Sequence, residues 1–472
     1  MQRFKGAWEW LDDRLGWSST IWPIVTHPVP RVNWWYVLGS ATLIAFTIQV
    51  ITGVALAFTY VPAPNSAYES LEFITERAVL GGVVRGLHYW GSSAMVVLVF
   101  AHMAHVFLVG AFKFPREVNW LTGVILLAMT LGMAFTGQLL RWNQDAYWAV
   151  ALMSSMASRV PLIGDLLVDI IVAGQTVGGA TLTRFYATHV FLLPGAMFVL
   201  VGAHLYLVIR HGVSEMPRAG HPVDPKTYRQ EYEELLHKDG IPFWPDFAWK
   251  DVIFALIAGS FVLLLSIVVG APELGKPADP TELEAHPKPD WYFLWLFALL
   301  SYAPPAIESL VIIGLPLLLG LALLAVPFVA PTGERSPWRR PWAVGTVGFL
   351  TVALGLLIWE GNRAPWSPAL HAHLQPSVAA GLQGEALQGA ALFEQKGCLT
   401  CHVIAGDGGQ RGPELTTVGS RLSRDQLTWR ILYGGNNMPA YGTALRPDEL
   451  TALVEFLAVQ HGGQPTAGGG GH

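Results

Sequence analysis

Cysteine is nearly missing from this chain. There are two in 472 residues, Cys398 and Cys401, three positions apart. Two thiols cannot build a disulfide framework, and if both serve one motif none is left for an iron–sulfur centre. Charge is scarce as well: 13% of residues are Asp, Glu, Lys or Arg, against 52% hydrophobic, with a formal net charge of −5. That balance excludes an ordinary soluble protein, and no nucleic-acid partner is expected of it. Mean hydropathy is +0.41, and the 19 tryptophans suit membrane–water interfaces, where that side chain gathers.

Apolar runs long enough to span a bilayer lie near 34–60, 87–112, 118–140, 185–210, 250–270, 306–330 and 341–360. Seven spans put the two termini on opposite sides. With the N-terminus cytoplasmic, the cytoplasmic segments hold fifteen Lys and Arg and the opposite loops seven. The positive-inside bias therefore places the C-terminal segment outside the cytoplasm, and lipid is the surrounding partner. No cleavable signal peptide is expected. Phe4, Trp8, Leu11 and Leu15 recur at helical spacing among charges, which suits an interfacial amphipathic helix or a plain solvent-exposed one.

The predicted organisation is all-α: a seven-span transmembrane bundle, made of a four-helix core plus three helices, followed by a small all-α extracytoplasmic domain. The boundaries read as 1–210 for the four-span part, 211–247 for a charged cytoplasmic loop and 248–360 for the three-span part. A Pro/Ala/Gly-rich linker follows at 361–385, then a compact domain at 386–462 and a Gly-rich tail at 463–472.

Within the spans, histidines recur at matched distances. His88 and His102 are 14 apart, and His189 and His204 are 15 apart. On a helix these gaps are roughly 21 and 22 Å, with both members near one face. A single histidine in an apolar helix is most often a hydrogen-bonded packing residue. Four with matched spacing in two spans read as two bis-histidine iron sites, stacked across the membrane. Gly39/Gly53 and Gly123/Gly137 repeat the interval of 14 in the first and third spans, where glycine lets a flat macrocycle approach the backbone. Small-residue helix packing is the plainer account of those glycines. His105 lies 17 from His88 and falls outside the pattern; it suits a hydrogen bond near the helix end, or a quinone or propionate. Arg85 and Arg184 each precede the first histidine of a span, as propionate partners or as topological anchors.

Cys398-Leu-Thr-Cys401-His402 has the attachment signature of a c-type haem, in which two thioethers tether the porphyrin and His402 ligates iron. Met438, 36 residues on within Asn436-Asn437-Met438-Pro439, is the candidate opposite ligand, and a thioether sulfur there raises the potential. Pro289-Asp290-Trp291-Tyr292 precedes the sixth span; local physics reads Asp290 as an N-cap among interfacial aromatics.

Several blocks then resemble cytochrome b of the cytochrome bc complexes: Leu87-His88-Tyr89-Trp90, Phe112-Lys113-Phe114-Pro115-Arg116-Glu117, Thr181-Leu182-Thr183-Arg184-Phe185-Tyr186 and Pro289-Asp290-Trp291-Tyr292. The gap of 15 and Gly275-Lys276-Pro277-Ala278-Asp279-Pro280 are similar to the b6f branch and its subunit IV. Residues 386–462 resemble class I cytochrome c domains, with Gly389-Ala390-Ala391-Leu392-Phe393 before the motif and an apolar helix near Leu450–Val459 after it.

The resemblance implies two noncovalent b haems, the low-potential one on His88/His189 near the outer face and the high-potential one on His102/His204 near the cytoplasmic face. One covalent c haem joins them. It implies a quinol:cytochrome c reductase component in which Asp290 stands where the family's glutamate accepts a quinol proton, with Tyr147 beside it. It also implies a Rieske iron–sulfur protein, an oxidase or soluble electron carrier, a homodimer within the complex and an inner (plasma) membrane location. Asp290 is one methylene shorter than the usual glutamate, which leans towards menaquinol. Val37 stands where the b6f branch carries a cysteine that holds an extra haem, so that thioether cannot form here. The alternative is a di-haem membrane anchor or electron conduit of another quinone-linked oxidoreductase.

Overall fold

The computed structural model describes residues 2–174, 177–279, 288–363, 373–409, 412–434, 438, 440–442 and 444–462. The tail from 463, and Asn436, Asn437, Pro439 and Pro280 of the motifs above, lie outside them.

Chain order starts with α1 (Gln2–Leu15), whose Trp8, Leu11 and Leu15 are exposed. The first span, α2 (Trp34–Ala57), begins where the Asn33 side chain accepts a hydrogen bond from the Trp35 amide. Then come α3 (Ala67–Glu76) and the spans α4 (Gly81–Leu108) and α5 (Glu117–Leu139). Two short helices, α6 (Gln144–Ser158) and α7 (Gly164–Val172), precede the long span α8 (Gly179–His211). Asn143 caps α6 by accepting from the Ala146 amide at 3.0 Å. After α9 (Tyr228–Asp239) and span α10 (Trp249–Val268), a shorter apolar helix α11 (Trp291–Tyr302) leads to spans α12 (Ile307–Val329) and α13 (Pro341–Arg363).

Among the described residues seven helices are thus long and apolar enough to cross a membrane, as the hydropathy pattern predicts. The second and fourth start earlier than predicted, at Gly81 and Gly179, because glycine and one arginine do not stop a helix whose far side is apolar. Arg85 and Arg184 therefore lie inside helices. The outward faces are nearly all hydrocarbon: Leu317, Leu318, Phe328 and Phe349 are exposed, an apolar surface that suits lipid and not water.

In the bundle α2 packs along α4, α5 along α8, and α4 meets α5. The three-span half docks onto this core through α10 on α4 and α2, and through α12 on α5. A two-stranded ladder, β1 (Pro28–Val29) with β2 (Ile241–Pro242), ties the approach to α2 to the loop before α10. Between the two histidine levels lies an apolar layer of Ala45, Phe46, Met95 and Met197, with Met129 and Met133 against it.

The C-terminal domain is built on α14 (Gly384–Gln395) crossing α16 (Pro447–Ala458), with α15 (Arg424–Tyr433) beside them. The crossing needs a glycine: a Cβ on Gly389 would stand 1.9 Å from the Ala452 carbonyl oxygen. Phe393 and Phe456 pack there with tilted rings, centroids 5.3 Å apart. Leu374, Val378 and Leu382, inside the stretch read as linker, pack against this core.

Candidate functional site

Each glycine of the 14-residue pattern faces one histidine. A Cβ added to Gly53 would lie 3.3 Å from Cε1 of His88, and one on Gly137 only 2.7 Å from Cε1 of His189. At the other level, Gly39 faces His102 at 3.2 Å and Gly123 faces His204 at 3.7 Å. The rings of His88 and His189 meet across the bundle with centroids 6.3 Å apart. Metal–imidazole bonds are about 2.0–2.1 Å. Two such bonds plus two ring radii separate centroids by roughly 6 Å, which matches.

Three of the four imidazoles are also oriented. His88 Nδ1 bonds the Thr52 hydroxyl at 2.9 Å, His189 Nδ1 that of Thr136 at 3.0 Å, and His204 Nδ1 that of Thr122 at 2.8 Å. Each hydroxyl donates its own hydrogen to a carbonyl one turn back, at Ile48, Gly132 and Val118. The hydroxyl oxygen must therefore accept from Nδ1–H, which leaves the Nε2 lone pair free for a metal. These threonines were not singled out from sequence, although Thr52-Gly53, Thr122-Gly123 and Thr136-Gly137 repeat one dipeptide. Leu38 precedes the fourth glycine, and no hydroxyl comes from there.

The span α8 carries its two histidines 15 apart because of a π turn, Thr188–Leu192, which contains His189. A π turn takes up one extra residue. The α8 interval thereby becomes equivalent to the 14 of α4, and both histidines face the core.

Two histidines per level make an incomplete ligand set, and among the described residues no group of three or more His, Cys, Asp or Glu could hold a metal ion. The pairs fit a planar group that brings its own in-plane donors. The Gln49 amide nitrogen agrees: it is buried between the levels against Gly91, with no hydrogen-bond partner among the described residues.

Asp290 sits at the start of α11, but its side chain does not cap the helix. Oδ1 accepts from Arg141 Nη2 at 3.1 Å and Oδ2 from the Tyr292 hydroxyl at 2.9 Å. The Asp290 amide donates to Gln138 Oε1 at 3.3 Å. Gln138 follows Gly137, the residue against His189, so the carboxylate stands at the His88/His189 level. Tyr89, next to His88, is within electrostatic reach of Asp290, and Trp291 Nε1 donates to Ser93 on α4. The loop is fastened to the start of α6 by Lys288 N to Asp145 Oδ1 at 2.9 Å and Gln144 N to the Lys276 carbonyl at 3.1 Å. Tyr147 is buried on α6 against Trp148; burial, then Asp279, pushes its phenol up to about 12.

The remaining candidates are spread out. Arg85 is buried and donates to Thr75 Oγ1 at 3.1 Å and the Pro272 carbonyl at 2.6 Å, bracing the loop after α10. Arg184 donates to the Asp169 and Ile170 carbonyls at the end of α7. His105 packs edge-on against Tyr36, with centroids 4.8 Å apart. Val37 is buried.

In the C-terminal domain, Cys398 and Cys401 form no disulfide, and burial, then Cys401, pushes Cys398 up to about 12. His402 donates from Nδ1 to the Pro413 carbonyl at 2.8 Å, which again leaves Nε2 free. Cys398 and Met438 both pack against the domain core.

Three family models match separate parts of the chain. Residues 24–212 match the family model for cytochrome b/b6/petB, and residues 277–377 that for cytochrome b(C-terminal)/b6/petD. Residues 384–457 match the model described as cytochrome c oxidase, cbb3-type, subunit III. Cytochrome b6 of Synechococcus sp. (strain JA-3-3Ab) is 42% identical over 213 residues, covering 44% of this chain and 97% of that protein. Cytochrome b6 of Heliobacterium modesticaldum is 41% identical over 209 residues, covering 44% and 98%. A chain of a solved "Hyperthermophilic respiratory Complex III" superposes with a TM-score of 0.64 and 25% identity, covering 76% of this chain and 91% of that one.

Proposed function

This chain belongs to the cytochrome b/b6 family, continued by a C-terminal cytochrome c domain, and from that premise we propose that it is the cytochrome b–c subunit of a quinol:cytochrome c oxidoreductase. It is a multi-pass membrane protein of a bc-type complex. The N-terminus lies in the cytoplasm and the c domain outside the inner membrane, following the Lys/Arg bias. His88/His189 and His102/His204 would hold two b haems, and Cys398, Cys401, His402 and Met438 one c haem; bound there, these groups would supply one-electron carriage.

What the chain itself does begins at the outer end. Quinol binds beside α6 and α11, with Tyr147 as a protonated neighbour. Asp290 accepts a hydroxyl proton, directly or through water given its short side chain. Full oxidation releases two protons and two electrons. One electron goes to a separate Rieske-type iron–sulfur protein, because both cysteines belong to the Cys-x-x-Cys-His motif and none is left for a cluster. His88/His189 and His102/His204 would hold the carriers that take the other to quinone at the cytoplasmic end, so that protons would move outward overall. Electrons leave through the c domain to an oxidase or soluble carrier, and the complex is a dimer. The short carboxylate favours menaquinol.

The observation that carries this reading is the placement of Asp290 against Gln138, the neighbour of the glycine that faces His189. Asp290→Ala tests it: quinol oxidation should fall by about 100-fold or more, in line with loss of a general base, while haem content stays normal. Unchanged turnover would leave the chain as a di-haem anchor or conduit.

A further inference from the structure

Arg141 is the unexpected member of the outer cluster. Its guanidinium grips Asp290 Oδ1 at 3.1 Å, and the two side chains are only 17% and 16% exposed. Its Nε donates to the Gln138 carbonyl at 3.3 Å, so the arm is held from both ends. The Gln138 amide nitrogen beside it is buried with no hydrogen-bond partner among the described residues. An acceptor, a fixed cation and an unused donor therefore converge within one turn of the glycine that faces His189.

We propose that Arg141 is the positioning residue of the quinol-oxidising pocket, compensating for the short carboxylate by aiming Asp290 and by setting a positive charge where quinol loses its proton. The proposal rests on the quinol reading above. Both Asp290 oxygens are occupied, one by Arg141 and one by Tyr292. The acid thus waits as a hydrogen-bonded carboxylate with a defined direction instead of swinging on its own rotamers. A quinol hydroxyl that reaches this carboxylate presents its oxygen to the guanidinium as well. In the proton step the quinol O–H bond breaks and a carboxyl O–H bond forms on Asp290. The negative charge passes to the quinol oxygen, and no electron moves. A guanidinium in a sheltered site stabilises that developing anion far better than water does. The Gln138 amide is the donor left for an oxygen of the same ring, which matches a quinol, a ligand that both donates and accepts.

A plain structural brace predicts something different, namely that Arg141 matters whether or not residue 290 is an acid. The test uses the intact complex with Arg141→Met, Arg141→Lys, Asp290→Asn and the Arg141→Met/Asp290→Asn double variant. We expect Arg141→Met to lower kcat by about 100-fold with KM within about threefold, the pattern of a contact that strengthens only in the transition state. Arg141→Lys should recover most of that loss. In the Asp290→Asn background, Arg141→Met should cost less than about threefold, because the coupled partner is already gone. Haem spectra should be unchanged throughout. Full kcat in Arg141→Met, or an equal loss in both backgrounds, overturns the proposal. Should Arg141→Met fail to assemble, Arg141→Gln, which removes the charge and keeps a polar side chain, decides the same question in the two backgrounds: an equal loss in both overturns the proposal. Failure of the quinol reading shows separately, as a wild-type complex that does not oxidise quinol.

Discussion

Gly137 makes the tightest of the four glycine–histidine contacts, and at this scale a single methyl group is decisive. A Cβ there would press the His189 ring from 2.7 Å, well inside van der Waals distance. The ring cannot retreat freely, because its Nδ1 is tied to Thr136. Gly137→Ala should therefore reduce haem b from two per chain to one, read by pyridine haemochrome on the purified protein. Gly132→Ala on the same helix is the control. Its Cβ would meet its nearest neighbour, Leu193, at 3.8 Å, and alanine gains about 1 kcal/mol of helix propensity over glycine. Loss of haem from both variants, or from neither, would contradict the facing-glycine account.

At the scale of elements, the π turn Thr188–Leu192 decides whether an interval of 15 equals one of 14. Phe191 lies inside it and is 66% exposed, so no core packing depends on that side chain. Deleting Phe191 should close the turn into a regular α-helix and keep both haems, at an interval of 14. Inserting one residue between Val96 and Val97 of α4, where no such turn exists, should rotate His102 by about 100° and lose a haem. Optical spectra of the two variants check this; haem loss on the deletion would mean that the π turn has another role. The same element shows what a sequence can disclose. Seven spans were legible because hydrocarbon solvent imposes long apolar runs, and the histidine and glycine intervals were legible because a helix repeats. The π turn left only an odd interval, with nothing local to explain it. The Arg141–Asp290 pair spans 149 residues of chain, and a lone arginine in a loop carries no mark of such a partner. The threonines were visible as a repeated Thr-Gly dipeptide, a signal that gains meaning only once each glycine is seen against a ring.

For the whole molecule, fusion fixes the ratio of its parts. On the proposed function, a chain with two histidine levels in its spans and one Cys-x-x-Cys-His domain carries its electron exit with it, one c site for each pair of b sites. The c domain has a core of its own, with Phe393, Ile404 and Phe456 fully buried, and covalent haem would add a staple to so small a fold. Val37 sets the upper bound on covalent attachment, since the only two cysteines sit at 398 and 401. The central claim is thus a stoichiometry, and a pyridine haemochrome assay on the purified chain, calibrated against protein, measures it most directly. The account predicts two haem b and one haem c per chain. A second haem c, or a single haem b, would contradict it.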